Sequence, residues 1–298
     1  MLAGLLWIPF TLLAAAGQTA RNAMQRELTA ALGTVGATHV RFLFGFPFAI
    51  VFLAAVLAVT GLPVPAVPAI YWPWIVLGAG AQIVATALML ATMNDRSFVV
   101  TIAYIKTEAI QAAIFGLIVL GDPLTLGMVV AILVATAGVV AMSLKGKGAM
   151  EGGYRPGALG LVSGAVFAIS AVGYRGAILS LGLPSFVLAA TLTLAIGLIL
   201  QAAVLTLYLA LRDRAVLSAI MRAWRPSLFA GFMGATASQF WFLAFALTSV
   251  ANVRTLALVE VLFAQAISRF VFGQKTTQRE AIGIVLVVIG VALLLWSH

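Results

Sequence analysis

Cysteine is absent from all 298 residues, which excludes disulfides and thiolate chemistry. Histidine is nearly absent: His39 and His298 are too few and too far apart to form a zinc cluster. Charge is scarce, at 8% of residues against about 25% in a soluble domain. A water-soluble chain of this size cannot hide so much apolar surface, so lipid must be the solvent for most side chains. No G-x-x-x-x-G-K-[ST] segment occurs, which removes ATP as a direct fuel. Within the apolar segments there is also no set of His, Asp, Ser or metal ligands fit for catalysis, so the chain does not read as an enzyme. No cofactor is implied.

Apolar residues fill that space, 63% of the chain, with a mean hydropathy of +1.16. A spanning helix needs about 20 of them in a row. Runs of that length predict ten spans, roughly 2–20, 36–60, 69–94, 97–120, 124–144, 157–179, 184–211, 226–248, 251–273 and 278–297. The opening MLAGLLWIPF has no basic residue in front of its apolar run and reads as a retained helix rather than a cleavable signal. Of 17 Lys and Arg, 12 fall in the breaks: Arg21, Arg26, Arg96, Lys145, Lys147, Arg155, Arg212, Arg214, Arg222, Arg225, Lys275 and Arg279. All of them lie in odd-numbered loops. Positive charge stays on the cytoplasmic side, so both termini are expected outside, periplasmic in a bacterial inner membrane. The net charge of +9 is therefore spread over loops, not gathered into a nucleic-acid-binding patch.

The chain also echoes itself at a shift of 152 residues. Trp72 meets Trp224, Glu108 meets Glu260, Gly121 meets Gly273, Thr125 meets Thr277 and Gly138 meets Gly290. Five helices is an odd number, so a second copy must enter the membrane upside down. Inverted repeats place a solute site where the halves meet. The expected fold is thus an all-α integral membrane protein, with ten transmembrane helices as two inverted five-helix repeats around a central cavity. The halves are 1–145 and 157–298, joined by the Gly-rich linker 146–156.

Thr107-Glu108-Ala109, then Gly121-Asp122-Pro123-Leu124-Thr125, then Gly138-Val139 resembles the EamA repeat. Val259-Glu260-Val261, the turn from Gly273 to Thr277, and Gly290-Val291 resemble it again. The chain is similar to ten-helix members of the drug/metabolite transporter superfamily, notably bacterial amino-acid exporters of the YddG type. That resemblance implies a secondary transporter that exports small amphipathic metabolites, amino acids (aromatic ones included) foremost, by alternating access. Carriers of organic cations, drugs or sugar derivatives, or a passive channel, remain alternatives. The expected partners are a small-molecule substrate and the lipid bilayer, and a monomer is compatible with the sequence. The chain departs from the family pattern in lacking Pro after either Glu and in carrying Asp122 and Gln274 at the turn acid.

Ionisable groups inside lipid cost about 2.5–3.5 kcal/mol each on insertion scales, so each needs a partner or a purpose. Arg41, Arg175, Arg254 and Arg269 lie near predicted span ends, within reach of the interface. Lys106, Glu108 and Glu260 do not. Glu108 shares a stripe with Tyr104, Gln111 and Phe115 at helical spacing, which predicts the cavity face. Lys106, two residues away, is expected on the opposite side. Arg254, Val261, Gln265 and Ser268 form a second stripe. The candidate binding set is Gln82, Tyr104, Lys106, Glu108, Gln111, Gln239, Trp241, Arg254, Glu260 and Gln265. A cation such as Lys106 or Arg254 suits a carboxylate, Glu108 an ammonium, and Trp241 a side chain. Glu108 and Glu260 are either protonated packing residues or proton-coupling groups. Pro9 and Pro47 each free a backbone carbonyl and are candidate hinges.

The charge pattern carries its own test in a chain without cysteine. A cysteine introduced at Ser297 is expected to react with an impermeant maleimide in intact cells. One at Ser218 should react only after permeabilisation. The opposite labelling would overturn the predicted sidedness.

Overall fold

Backbone N–H and C=O groups in lipid must bond to each other, which leaves the helix as the state open to an apolar run. The computed structural model describes residues 2–95, 104–143, 155–270 and 277–297, and these are helical with no strand among them. Arg96, Lys145, Lys147, Gly273, Gln274, Lys275 and most of the expected linker lie outside the described residues. So do the side chains of Arg26, Arg155, Ser268 and Arg269. The helices are α1 (Trp7–Leu43), α2 (Phe46–Thr60), α3 (Tyr71–Asp95), α4 (Glu108–Phe115), α5 (Leu126–Ser143), α6 (Arg155–Ser180), α7 (Phe186–Arg212), α8 (Arg214–Arg222), α9 (Trp224–Leu247), α10 (Val250–Leu256), α11 (Glu260–Phe270) and α12 (Gln278–Trp296). Six stretches of the described residues are long and apolar enough to cross a membrane: Glu27–Thr60, Tyr71–Thr92, Ala158–Ser180, Phe186–Arg212, Trp224–Leu247 and Gln278–Trp296. This is an all-helical membrane protein.

The first expected loop, between residues 20 and 36, is helix. α1 runs through it and breaks at a single residue, Gly33, with φ 68° and ψ 173°, a conformation only glycine adopts without strain. The Gln25 side chain donates to the Ala37 carbonyl at 3.1 Å. In a straight helix those residues would be about 18 Å apart, so the chain folds back at Gly33. Arg21, expected in a loop, instead sits inside the bundle at 1% exposure. A second break falls at Phe44-Gly45, just before Pro47, which takes a place in the first turn of α2. Pro47 has no N–H to continue α1, so the helix stops there. Pro9 sits in the first turn of α1, where a missing N–H costs nothing, and it makes no break.

The distribution of polarity is inverted relative to a soluble protein. Val59, Leu126, Leu211 and Trp296 are largely exposed on the outside, while Arg21, Arg41, Lys106, Glu108 and Glu260 are buried. An apolar exterior around a polar interior is what lipid demands. The exposed basic side chains Arg212, Arg214, Arg222 and Arg225 cluster on α8 and its flanks, between α7 and α9. α8 buries only Ile220, as expected of a short helix lying along an interface.

Three pairs of long helices pack most closely: α3 on α6, α1 on α9, and α5 on α12. Glycines let their backbones approach. A Cβ at Gly138 would lie 2.7 Å from the Val287 nitrogen, and one at Gly290 would lie 2.5 Å from the Ala135 nitrogen. Gly173 similarly meets Gly78 on α3, at 2.6 Å. Thr125 accepts from the Met128 N–H at 3.2 Å, and Thr277 caps α12 by accepting from Glu280 at 3.3 Å. Each hydroxyl satisfies a free N–H at the start of its helix.

Gly290→Val is expected to cost about 1–3 kcal/mol, since the overpacked atoms meet backbone rather than a movable side chain. Gly80, with nothing within 4 Å of a built Cβ, is the control. Thermal unfolding in detergent should show Gly80→Val near wild type and Gly290→Val clearly lower; equal midpoints would contradict the packing.

Candidate binding site

Between the start of α4 and the α10–α11 segment two ion pairs run in opposite senses. Lys106, just before α4, holds Glu260 at 2.5 Å, while Arg254 on α10 approaches Glu108 at 2.8 Å through Nε and Oε1. Neither atom of the second contact makes a hydrogen bond, so it acts as a charge pair. Glu260 also accepts from Gln18 at 3.2 Å, and Gln18 in turn accepts from the Trp241 indole at 3.1 Å. The Arg254 guanidinium lies 4.8 Å from the centre of the Trp241 ring and 5.3 Å from that of Phe245. A cation over an aromatic face gains a further favourable contact, larger when desolvated.

The pairs border an internal cavity lined by Gln18, Arg21, Asn22, Arg41, Gln82, Lys106, Glu108, Tyr174, Ser238, Trp241, Phe242, Phe245 and Arg254, among others. The space open to the centre of a water molecule is only about 30 Å³, enough for a water or two. Any larger solute needs the helices to part. Gln82 accepts from the Tyr174 hydroxyl at 3.0 Å and from Gln201 at 2.9 Å, so α3, α6 and α7 hold it in place.

Several sequence expectations are corrected by this geometry. Lys106 and Glu108 were expected on opposite sides of one helix, yet both reach the cavity. The chain tightens at Thr107, where i→i+3 bonds (Thr107 to Tyr104, Ile110 to Thr107) replace the α-pattern, so positions drawn on a regular helix shift. Tyr104 and Gln111 do not line the cavity. They face α6, where Gly160 and Gly164 leave room for them. Glu260 itself stands behind Lys106. Gln239 bonds to Thr191 of α7 at 2.8 Å, away from the cavity, and Gln265 does not line it either. A 3-10 turn at Ala257–Val259 separates Arg254 from Gln265 and spoils their common stripe.

Arg41, Arg175 and Arg254, expected to reach the interface, turn inward instead. Arg41 is 2% exposed and Arg254 9%. Arg175 binds Asp122 at 3.1 Å and the carbonyls of Phe245 and Thr248 at 2.5 Å. Asp122 also accepts from the Val250 N–H at 3.4 Å. This cluster ties the α4–α5 turn, α6, and the junction of α9 and α10 together at one end of the cavity. The residues missed outright were Gln18, Arg21 and Asn22. Gln18, Arg21, Asn22 and Gln25 fall at i, i+3, i+4 and i+7, a polar stripe that is visible once the first span is read beyond residue 20.

No family model and no curated protein matches the chain. A solved structure described as "Crystal structure of protein" is similar in fold, with a TM-score of 0.72 and 17% identity, over 98% of this chain and 95% of that one.

Asp122→Asn removes the carboxylate bonded to Arg175 but leaves its two carbonyl acceptors. A loss of roughly 1–3 kcal/mol is expected, the cost of an under-satisfied buried group. Thermal unfolding should show it; an unchanged midpoint would mean that the cluster does not bind the ends together.

Proposed function

We propose that the chain is a secondary transporter, which exports small amphipathic metabolites, amino acids foremost, by alternating access of two inverted five-helix halves. The observation that carries this reading is a narrow polar cavity flanked by ion pairs that cross between the halves. Lys106 and Glu108 belong to the first half, Arg254 and Glu260 to the second, and each half supplies one cation and one carboxylate. A solute arriving between them competes for those partners, and separating the halves opens the path.

The packing supports duplicated halves. Residue 138 stands to 287 as 290 stands to 135, the same contact after a shift of 152 in both directions. The α1–α9 and α6–α3 pairings exchange under the same shift, and α5–α12 maps onto itself. Ten crossings follow if the six long apolar stretches are joined by the first arm of α1, the shorter apolar helix Leu126–Met142, and the interrupted segments 104–120 and 250–270. The EamA-like motifs fit this frame: Thr125 and Thr277 cap the last helix of each half, and Gly138 and Gly290 bring those helices together. Exposed arginines on the α7–α9 connection agree with a cytoplasmic odd-numbered loop and external termini.

Glu108 and Glu260 are the proposed proton-coupling groups, since releasing either from its cation leaves a carboxyl that must take up a proton to remain in a dry site. Purified protein in liposomes preloaded with unlabelled amino acid is expected to accumulate labelled amino acid by counterflow. Glu108→Gln and Glu260→Gln should retain exchange but lose its acceleration by a pH gradient. Conductance without trans-stimulation would indicate a channel, and normal gradient-driven transport in both variants would rule out the coupling role.

A further inference from the structure

The two ion pairs do not balance the charge of the cavity. Among the described residues four cations line it, Arg21, Arg41, Lys106 and Arg254, against two carboxylates in or beside it, Glu108 and Glu260. The carboxylates are taken by Lys106 and Arg254. Arg21 and Arg41 are left over, at 1% and 2% exposure.

Neither guanidinium forms a direct ion pair among the described residues, and the nearby Glu260, which attracts Arg21, is itself held by Lys106. Arg21 gives one bond, to Asn22 at 2.8 Å, while its Nε and second terminal nitrogen are buried without acceptors. Arg41 gives long hydrogen bonds of 3.4 Å to the hydroxyls of Thr86 and Ser238 and lies 5.3 Å from the centre of the Phe42 ring, but its Nε has no acceptor. The two side chains lie side by side. A Cβ on Gly234 of α9 would meet the Arg41 Cγ at 3.3 Å and the Arg21 Cδ at 3.4 Å, so this glycine gives the two stems common room. Two like charges in one dry pocket, with unused donors, are costly unless an anion joins them. Guanidinium forks suit planar or tetrahedral oxyanions that accept two bonds at once.

We infer that Arg21 and Arg41 form an anion site, and that the solute of this cavity is a small molecule of net negative charge whose carboxylate or phosphate bridges both guanidiniums. The inference rests on the transport reading for its route but not for its binding chemistry. Binding of the anion supplies the charge that the protein omits. A neutral zwitterion would leave the excess in place, so an acidic amino acid or another small anion is preferred over its neutral amide. The Trp241, Phe242 and Phe245 wall then holds the uncharged part of the solute.

Binding is measured first, on the purified full chain in detergent, as the shift of the unfolding midpoint with glutamate, glutamine, inorganic phosphate and a phosphate monoester. Counterflow in liposomes follows with the same panel. The expected result is stabilisation by the anions and not by glutamine, with about tenfold or greater loss of affinity in Arg21→Gln and Arg41→Gln and a smaller loss in Arg41→Lys. The carboxylate and phosphate arms decide which oxyanion is preferred. Stabilisation without exchange of any solute would uphold the anion site and overturn the transport reading. Glutamine exchanged as well as glutamate, with no anion-dependent shift, would overturn the anion site and leave the transport reading intact. Should both Gln variants fail to fold, the wild-type comparison of glutamate with glutamine and the Arg41→Lys variant still decide.

Discussion

A charge enclosed by a lipid-embedded bundle needs a counter-charge, and the crossed pairs Lys106–Glu260 and Glu108–Arg254 supply it for four buried groups. Removing either member of such a pair strands the other without water to solvate it. Segments 104–120 and 250–270 are therefore bound to each other by four residues, whatever the apolar packing around them. Both segments leave the regular α-pattern near their charges, at Thr107 and at Ala257–Val259. The irregular backbone is sheltered by protein there, the condition under which a membrane helix tolerates it.

Around this tie the remaining helices are arranged by shape rather than charge. Glycines at 78, 138, 173 and 290 remove the Cβ atoms that would hold α3 from α6 and α5 from α12. One end of the cavity is drawn together by Arg175, which gathers Asp122 and two carbonyls at the end of α9. The cavity between has room for little more than water. Two buried arginines at its side carry the unbalanced charge, and the proposed solute is the group that balances it. Scaffold, lock and charge excess thus assign different jobs to different residues.

The sequence made the class legible because apolar content and span length are sums over many residues, which no single contact can reverse. Glu108, Lys106 and Trp241 were legible for a related reason: an ionisable or large polar-tipped side chain deep in an apolar run is rare enough to mark a place. What periodicity could not show was the direction of each side chain. A regular wheel assumes 100° per residue, and the 3-10 turns beside Lys106 and Arg254 depart from it. The error at Arg21 had another source. A basic residue after 20 apolar positions looks like a loop, and only the Gly33 reversal, itself a single-residue conformation, reveals that the helix continues. The Asp122–Arg175 pair was hidden because its members are 53 positions apart and each alone resembles a span-end charge.

The crossed pairs bind segments 104–120 and 250–270 to each other, and a double-mutant cycle on Glu108 and Arg254 measures that coupling directly. Unfolding free energies of Glu108→Gln, Arg254→Met and the double variant would be compared with wild type. Each single variant is expected to lose about 3–5 kcal/mol, the cost of a stranded buried charge, and the double variant far less than their sum. Single effects that simply add, to within about 0.5 kcal/mol, would show that the charges do not act on each other and would contradict the account.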